Sequence, residues 1–149
     1  MKSTRSVALV LATIAICGIS LPAVGRDTVL NLPIEDAAKA NQAGTRLDGT
    51  VKFFWGDQSH PAPEKTLGTY TTNKKTNFFN KSDKEGCEWA WLSAMLTLQE
   101  RAKKEGGNAV IDVHSVYRNN DFSSQTEYEC GAGSVVGGVA LRGTVVKLP

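Results

Sequence analysis

The strongest hydrophobic pattern in the chain lies between residues 83 and 105. Ser82 and Glu85 form an S-x-x-E capping box at its start, and Gly106 and Gly107 follow it as a stop signal. Between these signals, apolar residues recur three or four positions apart, which is the spacing of one helix face. They are Cys87, Ala90, Trp91, Ala94, Met95, Leu98 and Ala102. The pattern predicts one long helix over about residues 83–105.

Five β-prone segments flank this helix, two before it and three after it. They cover residues 50–55, 66–72, 108–117, 125–130 and 134–148. In the first segment after the helix, Ala109, Ile111 and Val113 alternate with neighbours that should face the other side of the sheet. The order ββαβββ predicts an α+β fold, with the long helix on one face of a mostly antiparallel sheet. The strands on either side of the helix should form a right-handed parallel crossover.

Residues 26–49 carry weaker signals. The stretch TVLNL permits a short strand, while Pro33, the acidic residues after it and Gly44 indicate a short N-terminal helix that ends before Gly44. We therefore predict that residues 26–49 are a peripheral segment and that residues 50–149 form a single α+β domain.

The first 25 residues differ from the rest of the chain. A basic start precedes the apolar run Val7–Ile19, which is shorter than the roughly 20 residues of a membrane-spanning helix. Ala23 and Gly25 are small residues at positions −3 and −1 of a cleavage site. We predict a signal peptide over residues 1–25, cleavage after Gly25, and a periplasmic or secreted product with no membrane span.

Removal of the leader changes the charge balance. The full chain has 17 basic and 15 acidic residues, and the leader takes away Lys2 and Arg5, which leaves 15 of each sign. A neutral domain lacks the basic surface of nucleic-acid-binding proteins, so we expect no nucleic-acid partner. The short run around Lys74 and Lys75 is interpreted as a solvated connector.

Cys87 and Cys130 remain after the leader, and export brings them into an oxidising compartment. We predict a disulfide between them that stabilises the fold by about 4 kcal/mol. Together with His60 and His114 the two cysteines have the composition of a zinc site. The gaps of 27, 27 and 16 residues lack the local ligand pairs of structural zinc sites. We expect no cofactor and no metal, and a thiol- or metal-binding protein remains the first alternative.

The glycine-rich stretch ECGAGSVVGGVALRG raises the question of a phosphate loop. A Walker loop needs G-x-x-x-x-G-K-[ST], and a dinucleotide loop needs G-x-G-x-x-G before a helix. The stretch offers Gly131 and Gly133, but Val136 stands at the third glycine position and a β-prone segment follows. We interpret the glycines as positions where another backbone or the long helix approaches closely, and Gly143 as a bulge.

Trp55, Asp57 and His60, in the stretch WGDQSHP, form a candidate partner or ligand surface together with His114. The second functional alternative is a hydrolase in which Asp57 and His60 polarise a water molecule. A simpler interpretation of Asp57 is that its carboxylate caps a turn.

Two segments carry a resemblance to a known family. The stretches CEWAWLSAMLTLQERAKKEGGNAVIDV and YECGAGSVVGGVALRGTVVKL resemble small exported proteobacterial proteins that are often labelled "excinuclease ATPase subunit". This chain has no Walker motif and no zinc-binding cysteine pairs, and it has a predicted export signal. We therefore reject the ATPase activity that the label implies. The helix–GGNAV–strand order is also similar to envelope domains of the YbjQ and RcsF type.

These observations favour a non-catalytic periplasmic or secreted domain that binds an envelope protein or a small ligand, in an envelope-stress context. The two alternatives are the thiol- or metal-binding protein that uses Cys87 and Cys130 with histidine, and the hydrolase around Asp57 and His60. Several strands in a small domain also suggest a homodimer through edge-strand pairing.

Overall fold

A computed structural model describes residues 25–149, so the predicted signal peptide lies outside the described residues except for Gly25. The strands are β1 (Asp27–Pro33), β2 (Lys52–Trp55), β3 (Lys65–Asn77), β4 (Ala109–Ser115), β5 (Glu127–Gly133) and β6 (Val136–Lys147). The helices are α1 (Ile34–Lys39), α2 (Ala43–Arg46) and α3 (Asp83–Lys104). Within residues 25–149, no helix combines the length and the apolar character that crossing a membrane requires.

The strands form one curled sheet with β6 at its centre. β3 pairs with nearly the whole of β6 on one side, while β4 and β5 share the other side. β1 pairs with β5, and β2 pairs with β4. The α+β class and the single long helix are confirmed. The predicted sheet is corrected in two respects: it is mixed, because β2 and β4 are parallel, and β1 adds a strand before the predicted ββαβββ order.

The long helix α3 has the bounds that its pattern predicts. Ser82 caps it, because its Oγ accepts a hydrogen bond of 3.1 Å from the backbone N–H of Glu85. Its buried positions include every residue of the predicted apolar face, and Leu92 and Gln99 are also buried. α3 packs on β3 and β6, and it connects β3 to β4. Both of these strands run antiparallel to β6, so they are parallel to each other, with β6 between them.

The alternation predicted for β4 is broken at Asp112. This residue has a left-handed φ of 49°, and the pairing register between β4 and β6 shifts at this point. As a result, Val110 and Val113 both reach the main core, although strict alternation would place them on opposite faces. The sequence predicted a bulge at Gly143 of β6. The bulge lies instead in the neighbouring strand β4, where Asp112 and Val113 stand opposite Gly143 alone.

The N-terminal segment also differs from its prediction. Gly44 does not stop the first helix, because it lies inside the short second helix α2. Ala37 and Ala43 are fully buried in the core, and Lys84 of α3 pairs with Asp36 of α1 at 2.6 Å. β1 contains the TVLNL stretch that permits a short strand, and it joins the sheet although all of its residues are exposed or half-buried.

The ring of Phe78 explains why two positions, Gly86 and Gly137, have no side chain. Its ring is buried between α3 and β6, and a Cβ placed on Gly86 would lie 2.3 Å from the ring. A Cβ placed on Gly137 would lie 2.2 Å from the ring and 2.6 Å from the carbonyl oxygen of Gly131. The absence of two side chains therefore lets the helix and the sheet hold one aromatic ring between them.

Replacement of Gly137 by alanine should lower the free energy of unfolding by about 1–3 kcal/mol, because the new methyl group overpacks this site. Urea unfolding followed by tryptophan fluorescence measures the change. Gly44→Ala is the matched control, since its Cβ would meet nothing closer than 4.0 Å, and we expect it to be neutral or stabilising. In Gly137→Ala, the second change Phe78→Leu should restore part of the loss. A Gly137→Ala protein as stable as the wild type would contradict the packing argument.

Candidate functional site

A cleft of about 640 Å³ opens where β1, β3, β5 and β6 meet. Its lining includes four glycines, Gly131 and Gly133 of β5 and Gly137 and Gly138 of β6. Small-molecule sites typically enclose about 300–1,000 Å³, so the cleft has the size of a ligand pocket.

The register of the sheet builds the floor of this cleft. Lys75, Gly138 and Gly131 are directly paired across β3, β6 and β5, so they face the same side of the sheet. A Cβ on Gly131 would lie 1.9 Å from the phenol oxygen of Tyr117, so glycine lets this side chain lie directly on the strand. A Cβ on Gly138 would lie 2.8 Å from the carbonyl oxygen of Lys74. Close approach is therefore confirmed as a reason for these glycines, since each missing side chain makes room for a neighbouring residue.

Three cationic side chains and one carboxylate line the cleft: Arg26, Lys75, Arg118 and Asp27. Arg26 pairs with Asp83 at 2.5 Å, and Arg118 pairs with Asp27. Within residues 25–149, Lys75 has no ion-pair partner. All three cations are substantially exposed, so they are available to a ligand that enters from solvent.

Arg118 is held towards the cleft by an unusual turn. Arg118 and Asn119 both adopt left-handed backbone conformations, with φ values of 55° and 60°. For a residue other than glycine, such a conformation costs roughly 1–3 kcal/mol of conformational free energy. Strained residues of this kind concentrate at functional sites. The guanidinium carbon of Arg118 lies 5.5 Å from the ring centroid of Tyr117, so the arginine rests on the phenol ring that lies on Gly131.

The residues that the sequence suggested as a partner surface do not line the cleft. Trp55 is only 5% exposed, and its ring stacks on Trp91 in the core with a centroid distance of 6.3 Å. Asp57 is exposed, and its carboxylate accepts a hydrogen bond of 2.7 Å from the side chain of Gln125. No hydrogen bond joins Asp57 to His60 in the described part of the chain.

The two histidines have separate local environments. His60 lies 5.5 Å from the ring of Phe54, and its Nδ1 is 2.9 Å from the carbonyl oxygen of Pro61. The imidazole of His114 lies between the carboxylates of Asp112 and Asp121, at 3.5 and 3.9 Å. A smaller cavity of about 140 Å³ beside Phe54 is lined by neither histidine and not by Asp57. The geometry therefore brings no acid–base pair of the proposed hydrolase together.

The predicted disulfide between Cys87 and Cys130 is confirmed. It joins the first turn of α3 to β5, with the Cα atoms 5.9 Å apart, and both residues are fully buried. In this form neither sulfur is a thiolate, which is the state that binds metals or attacks electrophiles. Across residues 25–149, no three or more His, Cys, Asp or Glu side chains cluster as metal ligands would.

Three ionisable groups near the core have shifted pKa values without lining the cleft. Burial raises the pKa of the Glu88 and Glu129 carboxyls and of the Tyr128 phenol above their ordinary values. Glu129 is buried, and its backbone N–H donates to Ser115 Oγ at 2.8 Å. These shifts follow from the packing of β5 against α3 and β4.

Sequence reasoning missed the cleft residues Arg26, Lys75, Tyr117 and Arg118. They come from three separate segments, since Tyr117 and Arg118 are adjacent, and Lys75 belongs to strand β3 where a solvated connector was predicted. The glycines were the one available signal, because a glycine-rich pair of strands marks a place where other groups approach the sheet closely.

Comparison of the chain with known protein families, with curated proteins and with solved structures finds no match. The functional argument therefore rests on the geometry of the cleft.

Proposed function

We propose that this protein is a non-catalytic periplasmic or secreted binding protein whose ligand lies in the glycine-floored cleft. The observation that carries the proposal is the cleft itself, about 640 Å³ in volume, with three cations and a tyrosine around a floor of glycine backbone. Pockets of this size with a few convergent polar groups are the usual form of small-molecule sites.

The side chains of the cleft favour binding over catalysis. A general base or a nucleophile needs a suitable pKa and a free reacting atom. Among residues 25–149, the one carboxylate that lines the cleft, Asp27, is already paired with Arg118, and no histidine or cysteine lines it. Arginine, lysine and tyrosine supply hydrogen-bond donors and charge, which is what recognition requires.

The compartment is supported by two independent features. The leader pattern of residues 1–25 predicts export, and the disulfide between Cys87 and Cys130 is typical of proteins in oxidising compartments. The resemblance to small exported proteobacterial proteins and to envelope domains agrees with this location. An envelope-stress role is part of the same proposal.

Filling the cleft should abolish ligand binding without unfolding the protein. Val136 lines the cleft and is 49% exposed, so Val136→Trp adds bulk to the cleft without disturbing the buried core. The matched control is Val135→Trp, because Val135 is 58% exposed and does not line the cleft. The measurement is native mass spectrometry of protein isolated from the periplasm, which detects a retained small molecule as added mass.

We expect the added mass on the wild type and on Val135→Trp, and its loss from Val136→Trp. Equal melting temperatures of the three proteins would show that the loss is local. A small molecule retained equally by both variants would place the binding site outside the cleft and contradict the proposal. If the wild type carries no small molecule, titration with periplasmic extract of low molecular mass tests the same three proteins.

A further inference from the structure

We infer that the cleft recognises an organic anion, in which a phosphate or carboxylate group is attached to a neutral body. The inference rests on the proposed function and adds the chemical class of the ligand. It also assigns Lys75, Arg118 and Arg26 as the groups that bind the acid.

The balance of charge in the cleft is positive. Arg26, Lys75 and Arg118 contribute three positive charges, against the single lining carboxylate of Asp27. The mature chain as a whole is predicted to be neutral, so this local excess is not a consequence of a basic composition. Clefts lined by charges of one sign focus the electrostatic potential and concentrate ligands of the opposite sign.

The two arginines are held by carboxylates that an acidic ligand can replace. Asp27 holds Arg118 and Asp83 holds Arg26, and the side chains of all four residues are at least 35% exposed. Exposed ion pairs of this kind contribute little to the stability of a fold, because both charges stay largely in water. Guanidinium groups bind phosphates and carboxylates through two parallel hydrogen bonds, so a ligand acid can compete with either aspartate. Lys75 needs no such exchange, because it has no ion-pair partner within the described residues.

The size and the uncharged lining of the cleft indicate that the ligand has a neutral part as well as an acidic group. A bare inorganic anion would fill only a small part of the roughly 640 Å³. The phenol ring of Tyr117, which lies on Gly131, and the backbone of Gly138 carry no charge, and Val136 also lines the cleft. A ligand with an acidic group at the cations and an uncharged part against this neutral lining matches both features.

The predicted cleavage site reinforces this assignment. Gly25 and Arg26 both line the cleft, and cleavage after Gly25 would make Arg26 the first residue of the processed protein. Its terminal ammonium group would then add a further positive charge at the edge of the cleft.

The test uses protein processed in the periplasm, its mass checked, and isothermal titration calorimetry with defined probes. Glycerol 3-phosphate and gluconate are the anionic probes, and glycerol is the neutral control. We expect both anions to bind more tightly than glycerol and more weakly as salt increases, because the cations are exposed. Vesicles of phosphatidylglycerol, compared with vesicles of phosphatidylcholine, show whether the acid is presented by a lipid headgroup or by a soluble molecule.

Substitutions in the cleft should change the affinity in opposite directions. Lys75→Gln should weaken the binding of the anions about five- to tenfold, since it removes one charged contact. Asp27→Asn should tighten it about three- to fivefold, because it frees Arg118. Lys104→Gln, an exposed change on α3 away from the cleft lining, is the control and should leave the affinity unchanged. A purely structural role for the ion pair predicts no tightening in Asp27→Asn.

The outcomes separate this inference from the proposed function. Binding of an anionic probe or of anionic vesicles, with the opposite effects of the two variants, supports it. A neutral molecule that the wild type retains and Val136→Trp excludes would leave the proposed function intact and overturn the anion assignment. No binding of the anions at millimolar concentration, or binding unaffected by Lys75→Gln, would overturn it as well.

Discussion

Replacement of both Cys87 and Cys130 by alanine should lower the free energy of unfolding by about 4 kcal/mol. The two residues are 43 positions apart, so the bond closes a loop that holds almost all of α3, the whole of β4 and the start of β5. Without the bond, the unfolded chain gains the freedom of that open loop, which is the main source of the expected loss. A small domain is stable by only about 5–15 kcal/mol, so this change is a large part of the total.

The measurement is urea unfolding of the wild type, of Cys87→Ala/Cys130→Ala and of wild type under reductant. Alanine also removes two buried sulfur atoms, and the reduced wild type keeps them, so the difference between these two samples isolates the packing contribution. We expect both to be destabilised, with the double variant slightly less stable. A reduced protein as stable as the oxidised one would mean that the helix and the sheet hold their positions without the bond.

The helical part of the fold could be predicted because its signals are local. The capping box at Ser82 and Glu85, the apolar spacing and the glycines after Lys104 all lie within one segment, and each has a physical cause that acts over a few residues. The disulfide was also predictable, since only two cysteines remain outside the predicted leader and the predicted compartment favours their oxidation.

The sheet was harder to predict because its order depends on contacts between distant segments. β1 is mostly exposed and pairs with β5, about one hundred residues later in the chain, so the short TVLNL pattern permits a strand but does not show which strand it pairs with. The bulge at Asp112 is invisible for a different reason. Aspartate is depleted in strands and tolerates a left-handed backbone, but the residue type alone does not show that a bulge here shifts Val113 into the core.

The cleft illustrates the same limit at the level of function. Sequence patterns favoured Trp55, Asp57, His60 and His114 because tryptophan, aspartate and histidine carry chemistry in many sites. In the fold, Trp55 turns into the core, and the other three make contacts with their own neighbours. The cleft cations are ordinary polar residues in their own segments, and only the register of β3, β5 and β6 brings Lys75 beside the paired glycines. The glycines carry this information only once their partners are known.

Replacement of Trp91 by alanine should destabilise the fold by about 3–5 kcal/mol. Trp91 is 1% exposed and lies on α3 against two other elements. Its ring stacks on Trp55 of β2 at 6.3 Å and is tilted against Tyr128 of β5 at 6.1 Å. Aromatic pairs of this kind contribute about 0.5–1.5 kcal/mol each beyond the area that they bury. Because Trp91 takes part in both pairs, its replacement removes the aromatic contact that joins α3 to β2 and β5.

The neighbouring Trp89 provides a matched control on the same helix. It is only partly buried, so Trp89→Ala should cost clearly less, about 1 kcal/mol, in the same urea titration followed by circular dichroism. If Trp91→Ala does not fold, Trp91→Phe and Trp89→Phe give the comparison. The indole N–H of Trp91 has no hydrogen-bond partner within residues 25–149. Trp91→Phe therefore removes buried ring volume, which destabilises the fold, and also removes an unpaired buried donor, which offsets part of that loss. Equal losses for the two tryptophans would contradict the view that the Trp55–Trp91–Tyr128 contact joins the helix to the sheet.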